Sequence, residues 1–134
     1  MTDRLAAEIE VQPDRSARRE DFVARGAIVN VGIERLLLNT APLSSPSLAL
    51  EVVDTNDAPV RLPPPGVPPL ETPRLELDRG QRYLIEFANF LPQWEPAGVY
   101  RVRLRYRYRP AVPVPDEWSG EVYSPWVQLT VLNS

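Results

Sequence analysis

The feature that most constrains the fold is the stretch from Gly98 to Arg109, in which apolar and basic residues alternate without interruption from Tyr100 onward. Successive side chains of a β-strand point to opposite faces of a sheet, so the pattern predicts one long strand with an apolar face and an arginine face. At helical spacing the same residues would be spread around the whole circumference. The apolar face requires a second layer to cover it. The residues of the arginine face are Arg101, Arg103, Arg105, Arg107 and Arg109.

Short apolar or alternating runs, separated by turn residues, recur along the rest of the chain. They predict strands over 5–11, 22–31, 34–39, 48–53, 75–77, 81–90, 98–109 and 126–132, with 58–62 as a short continuation. The first of these is predicted to be an edge strand, and Tyr83, Ile85 and Phe87 of 81–90 are predicted to face the core. The charged stretch 14–21 could form one helical turn, but it has no apolar face to hold such a turn, so a solvated loop is predicted. We therefore expect an all-β chain, an antiparallel sandwich of about seven strands without helices, forming a single domain over residues 1–134.

Missing residue types narrow the chemistry. The 134 residues include no cysteine and no histidine, which removes disulfides, thiolate metal sites and the commonest general base. The acids of 54–57 could form a cation site or an Asx turn, and the turn is predicted because a calcium loop needs more oxygen ligands. The acids Asp116, Glu117 and Glu121 cluster, but nothing in the sequence indicates a substrate cleft. We expect no cofactor, no metal and no catalysis.

Charge and hydropathy bear on partners and location. The net charge is −3, which disfavours a nucleic-acid partner although all fifteen basic residues are arginine. No stretch has the length of a membrane-spanning helix, and the N-terminus lacks the apolar run of a signal peptide. A cytoplasmic location is expected, with a secreted protein whose signal was removed as the alternative.

Prolines concentrate between the apolar runs, and the segment 62–73 must be extended. Its PxxP spacings could serve as a docking peptide for an SH3-like or WW-like partner. A stiff crossover between sheets, protected by its prolines from edge pairing, is the preferred interpretation.

The arginine face has two interpretations of similar weight. If the long strand lies between 48–53 and 126–132, its outward neighbours include Glu51, Gln128 and Thr130, with Glu121 near the strand end. Cross-strand ion pairs would then make it an ordinary solvated face. One carboxylate against five arginines leaves positive charge unmatched, however, and that charge suits an acidic protein partner.

The three tryptophans are the other candidate contact residues. Trp94 and Trp118 fall in proline-rich loops that are expected at one end of the sandwich, where they could stack on sugars or anchor an interface. Burial at an end of the core is the more common fate of such residues, and it is the prediction for Trp126.

The segment 96–102, Pro-Ala-Gly-Val-Tyr-Arg-Val, resembles the start of the penultimate strand of immunoglobulin-like and fibronectin-III-like sandwiches. The resemblance implies that the hydroxyl of Tyr100 returns to upstream backbone, as in a tyrosine corner. The segment 77–81 is similar to the turn before the preceding strand in bacterial members, and 118–124 is similar to their entry into the final strand. Val102 stands where antibody domains carry their second cysteine, and no tryptophan lies in 48–53, so a disulfide-bearing member is excluded.

Such a fold says little about function, since these sandwiches serve many roles. The expected function is a non-catalytic binding or accessory module that docks an acidic protein through the arginine face, with Trp94 and Trp118 adding contact. The alternatives are a carbohydrate-binding module that uses the tryptophans, or a structural subunit of a larger assembly, for which a homo-oligomer is one possibility.

Overall fold

The computed structural model describes residues 4–39, 48–62, 74–109, 112 and 117–133. These residues are mostly β-strand, which confirms the expected all-β character. The strands are β1 (Leu5–Gln12), β2 (Arg15–Ser16), β3 (Val23–Asn30), β4 (Leu36–Asn39), β5 (Leu48–Val53), β6 (Arg74–Leu77), β7 (Arg82–Ala88), β8 (Gly98–Tyr108), β9 (Gly120–Tyr123) and β10 (Val127–Val131). The expected docking peptide or crossover at 63–73 lies outside the described residues.

The strands form two larger sheets and one small one. One sheet has the order β1-β3-β7, and the other has the order β2-β10-β8-β5, with β9 also paired to β8. All pairings are antiparallel except that of β2 with β10, and β4 pairs with β6 in a separate two-stranded sheet. The prediction that β8 lies between β5 and the final strand is confirmed, as is the prediction that β1 is an edge strand.

The core lies between the two larger sheets, because each of its two clusters draws side chains from both. The Tyr106 cluster combines Leu5, Ala7 and Ile28 of the first sheet with Leu104, Tyr106 and Tyr108 of β8. The Tyr100 cluster combines Ala24 of β3 with residues that include Leu50, Val52, Tyr100, Val102 and Leu129. Ile9 and Phe87 pack against both clusters. The apolar face of β8 thus contributes buried side chains to both clusters and connects them.

The segment 14–21 is not the solvated loop predicted from its charges. It contains β2 and a single 3-10 turn, Arg19–Asp21. The backbone is tied to β10, since the amide of Thr130 donates to the carbonyl of Asp14 at 2.9 Å. The Ser16 hydroxyl also donates to Asp21 at 2.8 Å. The prediction failed because the segment is held by backbone hydrogen bonds to β10, which composition does not reveal.

The segment 54–57 forms the predicted turn. Oδ1 of Asp54 accepts from the amides of Asn56 at 2.8 Å and Ala58 at 2.9 Å, which is how an Asx turn satisfies its backbone. The expected strand at 58–62 is reduced to an isolated bridge between Val53 and Pro59. Among the residues with assigned structure, no acidic cluster could hold a metal ion. Nor does that part of the chain contain a helix with the length and apolarity needed to span a bilayer.

Candidate docking surface: the arginine face of β8

Alternation in β8 separates its two faces as the sequence predicts. The inward residues Tyr100, Val102, Leu104, Tyr106 and Tyr108 are all buried. The intervening arginines point outward from the sheet, and Arg109 directly follows the last residue of the strand. Burial of the apolar face therefore fixes the row of arginines on the opposite face.

Glu51 of β5 neutralises part of the middle of the row. It lies directly opposite Arg103 in the strand register. Its Oε1 accepts from Nε of Arg103 at 2.7 Å, and its Oε2 lies 3.6 Å from Nη1 of Arg105. The prediction that Glu51 pairs with an arginine is confirmed, and the carboxylate in fact serves two.

The two ends of the row each have a carboxylate as well. Arg101 pairs with Asp57, a residue of the Asx turn that was not among the predicted neighbours of this face. Glu121 of β9 lies 3.6 Å from Nη1 of Arg107 and 3.2 Å from Nη2 of Arg109. Because β5 runs into the Asx turn beside Arg101, its register against β8 is the signal that could have identified Asp57.

Five arginines therefore face three carboxylates among the described residues, which leaves a formal charge of +2. The excess is most accessible where Arg107 and Arg109 share Glu121. The Arg107 and Arg109 side chains are 43% and 68% exposed, while Arg103 and Arg105 are more buried. Positive charge thus remains unmatched among the described residues. The excess is smaller than it would be if a single carboxylate faced the five arginines.

A β-bulge lies between β9 and β10, which both pair with β8. Tyr123 pairs with Arg105 and Val127 pairs with Val102, so the three residues between Tyr123 and Val127 oppose only two residues of β8. One extra residue in an antiparallel strand re-aims the side chains that follow it. Without the bulge, Tyr123 and Trp126 would point to opposite faces of the sheet, because they are separated by an odd number of positions.

With the bulge, Tyr123 and Trp126 both lie on the arginine face. The guanidinium carbon of Arg103 is 4.2 Å from the ring centroid of Tyr123 and 4.4 Å from that of Trp126. Arg101 lies 5.5 Å from the Trp126 centroid. We call Tyr123, Arg103 and Trp126 the aromatic–arginine stack; its contacts have cation–π geometry.

The prediction that Trp126 plugs an end of the core is therefore wrong. Its ring is partly exposed and belongs to neither apolar cluster. The sequence carries a signal for this: Val122 and Val127 are both apolar and five positions apart, and the structure places both against the core. An odd spacing between two inward residues of one strand requires a bulge, and Pro125 between them fits such a site.

The two loop tryptophans do not share a surface. Trp94 is 80% exposed and precedes the start of β8. Trp118 lies near the end of β8, where it packs on Tyr106 with ring centroids 5.4 Å apart. The eleven residues of β8 span about 33 Å, so the expected loop end carrying both residues does not exist. Trp118 is partly buried against the core, which agrees with the predicted burial at an end of the core. Trp94 does not pack against the core and does not agree with that prediction.

The acids considered for catalysis have other contacts. Oε1 of Glu117 accepts from the hydroxyl of Tyr108 at 2.6 Å, and Glu121 pairs with the arginines. Asp116 lies outside the described residues. The acids that can be described therefore support the fold and the arginine face.

The chain matches no protein-family model and no curated protein sequence.

Proposed function

We propose that this chain is an immunoglobulin-like β-sandwich domain that acts as a non-catalytic module and docks an acidic protein partner on the arginine face. Two observations support the fold assignment. The orders β1-β3-β7 and β10-β8-β5 correspond to strands A-B-E and G-F-C of that sandwich. The hydroxyl of Tyr100 donates to the carbonyl of Pro96 at 2.6 Å, as a tyrosine corner requires.

The observation that carries the binding function is the incomplete neutralisation of the arginine row. Two exposed guanidinium groups, of Arg107 and Arg109, converge on the single carboxylate of Glu121. A further carboxylate from a partner could complete their pairing, with the planar hydrogen bonds that arginine makes best. Surface ion pairs add little stability to the domain itself, so removal of this charge should affect binding more than folding.

The distribution of charge favours a protein partner. The face carries a formal charge of +2 in a chain whose net charge is −3, so the remaining surface is acidic. Such polarity orients an acidic partner toward β8 and repels it elsewhere. A nucleic acid would meet the acidic remainder as well as this patch.

The test uses charge reversal at the exposed end of the row. The double variant Arg107→Glu/Arg109→Glu is compared with the wild type and with the control Arg25→Glu/Arg82→Glu. The control reverses the charge of two exposed arginines of the β1-β3-β7 sheet, each of which is ion-paired with a glutamate on another strand. Each immobilised protein is exposed to lysate of the source organism at about 0.05 M and about 0.3 M salt. We expect a protein retained by the wild type and the control, absent from Arg107→Glu/Arg109→Glu, and released by salt.

Retention of that same protein by all three baits, or retention insensitive to salt, would overturn the proposal. Arg103 and Arg105 are left intact because their side chains are more buried than those of Arg107 and Arg109, so charge reversal there is more disruptive to the fold. Cooperative thermal unfolding of each variant shows that the fold is kept. Sedimentation of the purified domain establishes whether the retained partner is a second copy of the chain.

A further inference from the structure

The aromatic–arginine stack is a second component of the arginine face, distinct from its exposed charges. Arg103 is held between two rings and by its 2.7 Å bond to Glu51. Tyr123 and Trp126 retain accessible ring surface after making these contacts. The stack is thus a fixed, partly apolar patch in the middle of a charged surface.

We propose that this stack is the anchor of the docking surface, and that it selects an acidic partner segment with an apolar side chain positioned on the stack. The inference rests on the proposed function and adds a specificity to it. Tyrosine, tryptophan and arginine are the residues enriched among those that dominate binding energy at protein interfaces.

Preorganisation is the first argument for the anchor. A side chain that is immobilised on binding loses conformational freedom, and that loss weakens association. Arg103 has already been immobilised by Glu51 and the two rings, so a partner that packs on the stack does not have to order it. Packing there also covers ring surface that is now in contact with water.

The stack and the exposed end of the arginine row should affect different rate constants of binding. Arg107 and Arg109 are exposed and sit where charge mainly affects encounter and salt dependence. A packed aromatic contact mainly affects how long a complex lasts. Changes at the stack should therefore raise the dissociation rate, and changes at Arg107 and Arg109 should lower the association rate.

The spacing along β8 defines the partner segment. Residues on one face of an extended chain recur about every 6.7 Å. An extended segment that places an apolar side chain at Arg103 reaches Arg107 after two repeats and Arg109 after three. The segment should therefore carry acids four and six residues away from its apolar residue.

Three synthetic peptides provide the probes. The first is Thr-Phe-Thr-Ser-Thr-Glu-Thr-Glu-Thr; the second has Ala in place of Phe; the third has Gln in place of both Glu residues. Association and dissociation rates are measured by stopped flow with wild type, Tyr123→Ser, Tyr123→Phe and Arg107→Gln/Arg109→Gln. Trp94→Ser, which removes an exposed ring before β8, is the matched control.

With the first peptide we expect Tyr123→Ser to raise the dissociation rate about tenfold, with little change in association. Tyr123→Phe keeps the ring and should restore the wild-type rate, and Trp94→Ser should behave as wild type. Arg107→Gln/Arg109→Gln should lower the association rate several-fold at low salt. Replacement of Phe by Ala in the peptide should mimic Tyr123→Ser.

The anchor would be overturned if the Phe and Ala peptides dissociated at the same rate and Tyr123→Ser left the dissociation rate unchanged. Salt-sensitive binding in that case would leave the proposed function standing. If the Gln peptide bound with the same affinity as the acidic peptides, or if no acidic peptide bound at low salt, the anchor and the acidic-partner function would both be refuted.

Discussion

Tyr100 shows how one side chain secures the corner that leads into β8. Its ring is buried in the core, and its hydroxyl donates to the carbonyl of Pro96 at 2.6 Å. The carboxylate of Glu95 lies 3.3 Å from the same hydroxyl. Burial, reinforced by Glu95, raises the pKa of Tyr100 to about 12. The neutral phenol is therefore the form that the folded protein holds.

This pKa predicts a loss of stability at high pH. An unfolded tyrosine has a pKa of about 10, so between about pH 10 and about pH 12 the unfolded chain loses a proton that the folded one keeps. The stabilisation is present in full below about pH 10 and disappears as the pH rises through the folded value. Burial also raises the pKa of Tyr83, which adds to the same alkaline loss.

Tyr100→Phe should lower the free energy of unfolding by about 1–3 kcal/mol near neutral pH, because the carbonyl of Pro96 loses its donor. The difference from the wild type should shrink at about pH 11, where the wild type has begun to lose the contribution of Tyr100. Urea unfolding of both proteins at about pH 8 and about pH 11 measures it. The same difference at both pH values would refute this assignment of the alkaline loss.

Among the structural elements, the bulge between β9 and β10 decides which side chains meet β8. Ser124 is buried at its start. Its hydroxyl group accepts a hydrogen bond from the amide of Leu104 at 2.7 Å and donates its O–H to the carbonyl of Pro125 at 3.0 Å. A side chain thus takes over a bond that a regular strand would make through its backbone.

Ser124→Ala should therefore cost about 1–3 kcal/mol of unfolding free energy, because the buried amide of Leu104 loses its acceptor. We also expect a change in tryptophan fluorescence as Trp126 shifts relative to Arg103. Ser119→Ala, an exposed serine in the preceding loop, is the control and should be nearly neutral. The role of Ser124 would be disproved by equal stability and equal spectra of the two variants.

Sequence reasoning succeeded for regular strands and failed where regularity ends. Alternation was sufficient to place the five arginines on one face and to orient Tyr83, Ile85 and Phe87 toward the core. It misplaced Trp126, because one inserted residue reverses the side-chain faces that follow it. It also joined Trp94 and Trp118, because positions in loops carry no record of which end of β8 they approach. Periodicity is local, whereas these placements depend on pairing between distant segments.

For the molecule as a whole, the two core clusters are joined rather than independent. β8 contributes buried residues to both, and Phe87 of β7 packs against both. Loss of one cluster would therefore remove contacts from the other. Such shared packing favours a single cooperative unfolding transition for a domain of this size.

Phe87→Ala tests this coupling because it removes a ring that touches both clusters. We expect the free energy of unfolding to fall by about 2–4 kcal/mol, shifted downward from the about 3–5 kcal/mol of a fully buried phenylalanine because the ring is partly accessible. Leu84→Ala is the control from the same strand, since Leu84 points outward and is 73% exposed. Fluorescence, in which Trp118 reports from the Tyr106 cluster, and far-UV circular dichroism should give coincident urea transitions that shift together in Phe87→Ala. Two separated transitions, or a shift in only one signal, would show that the clusters unfold independently.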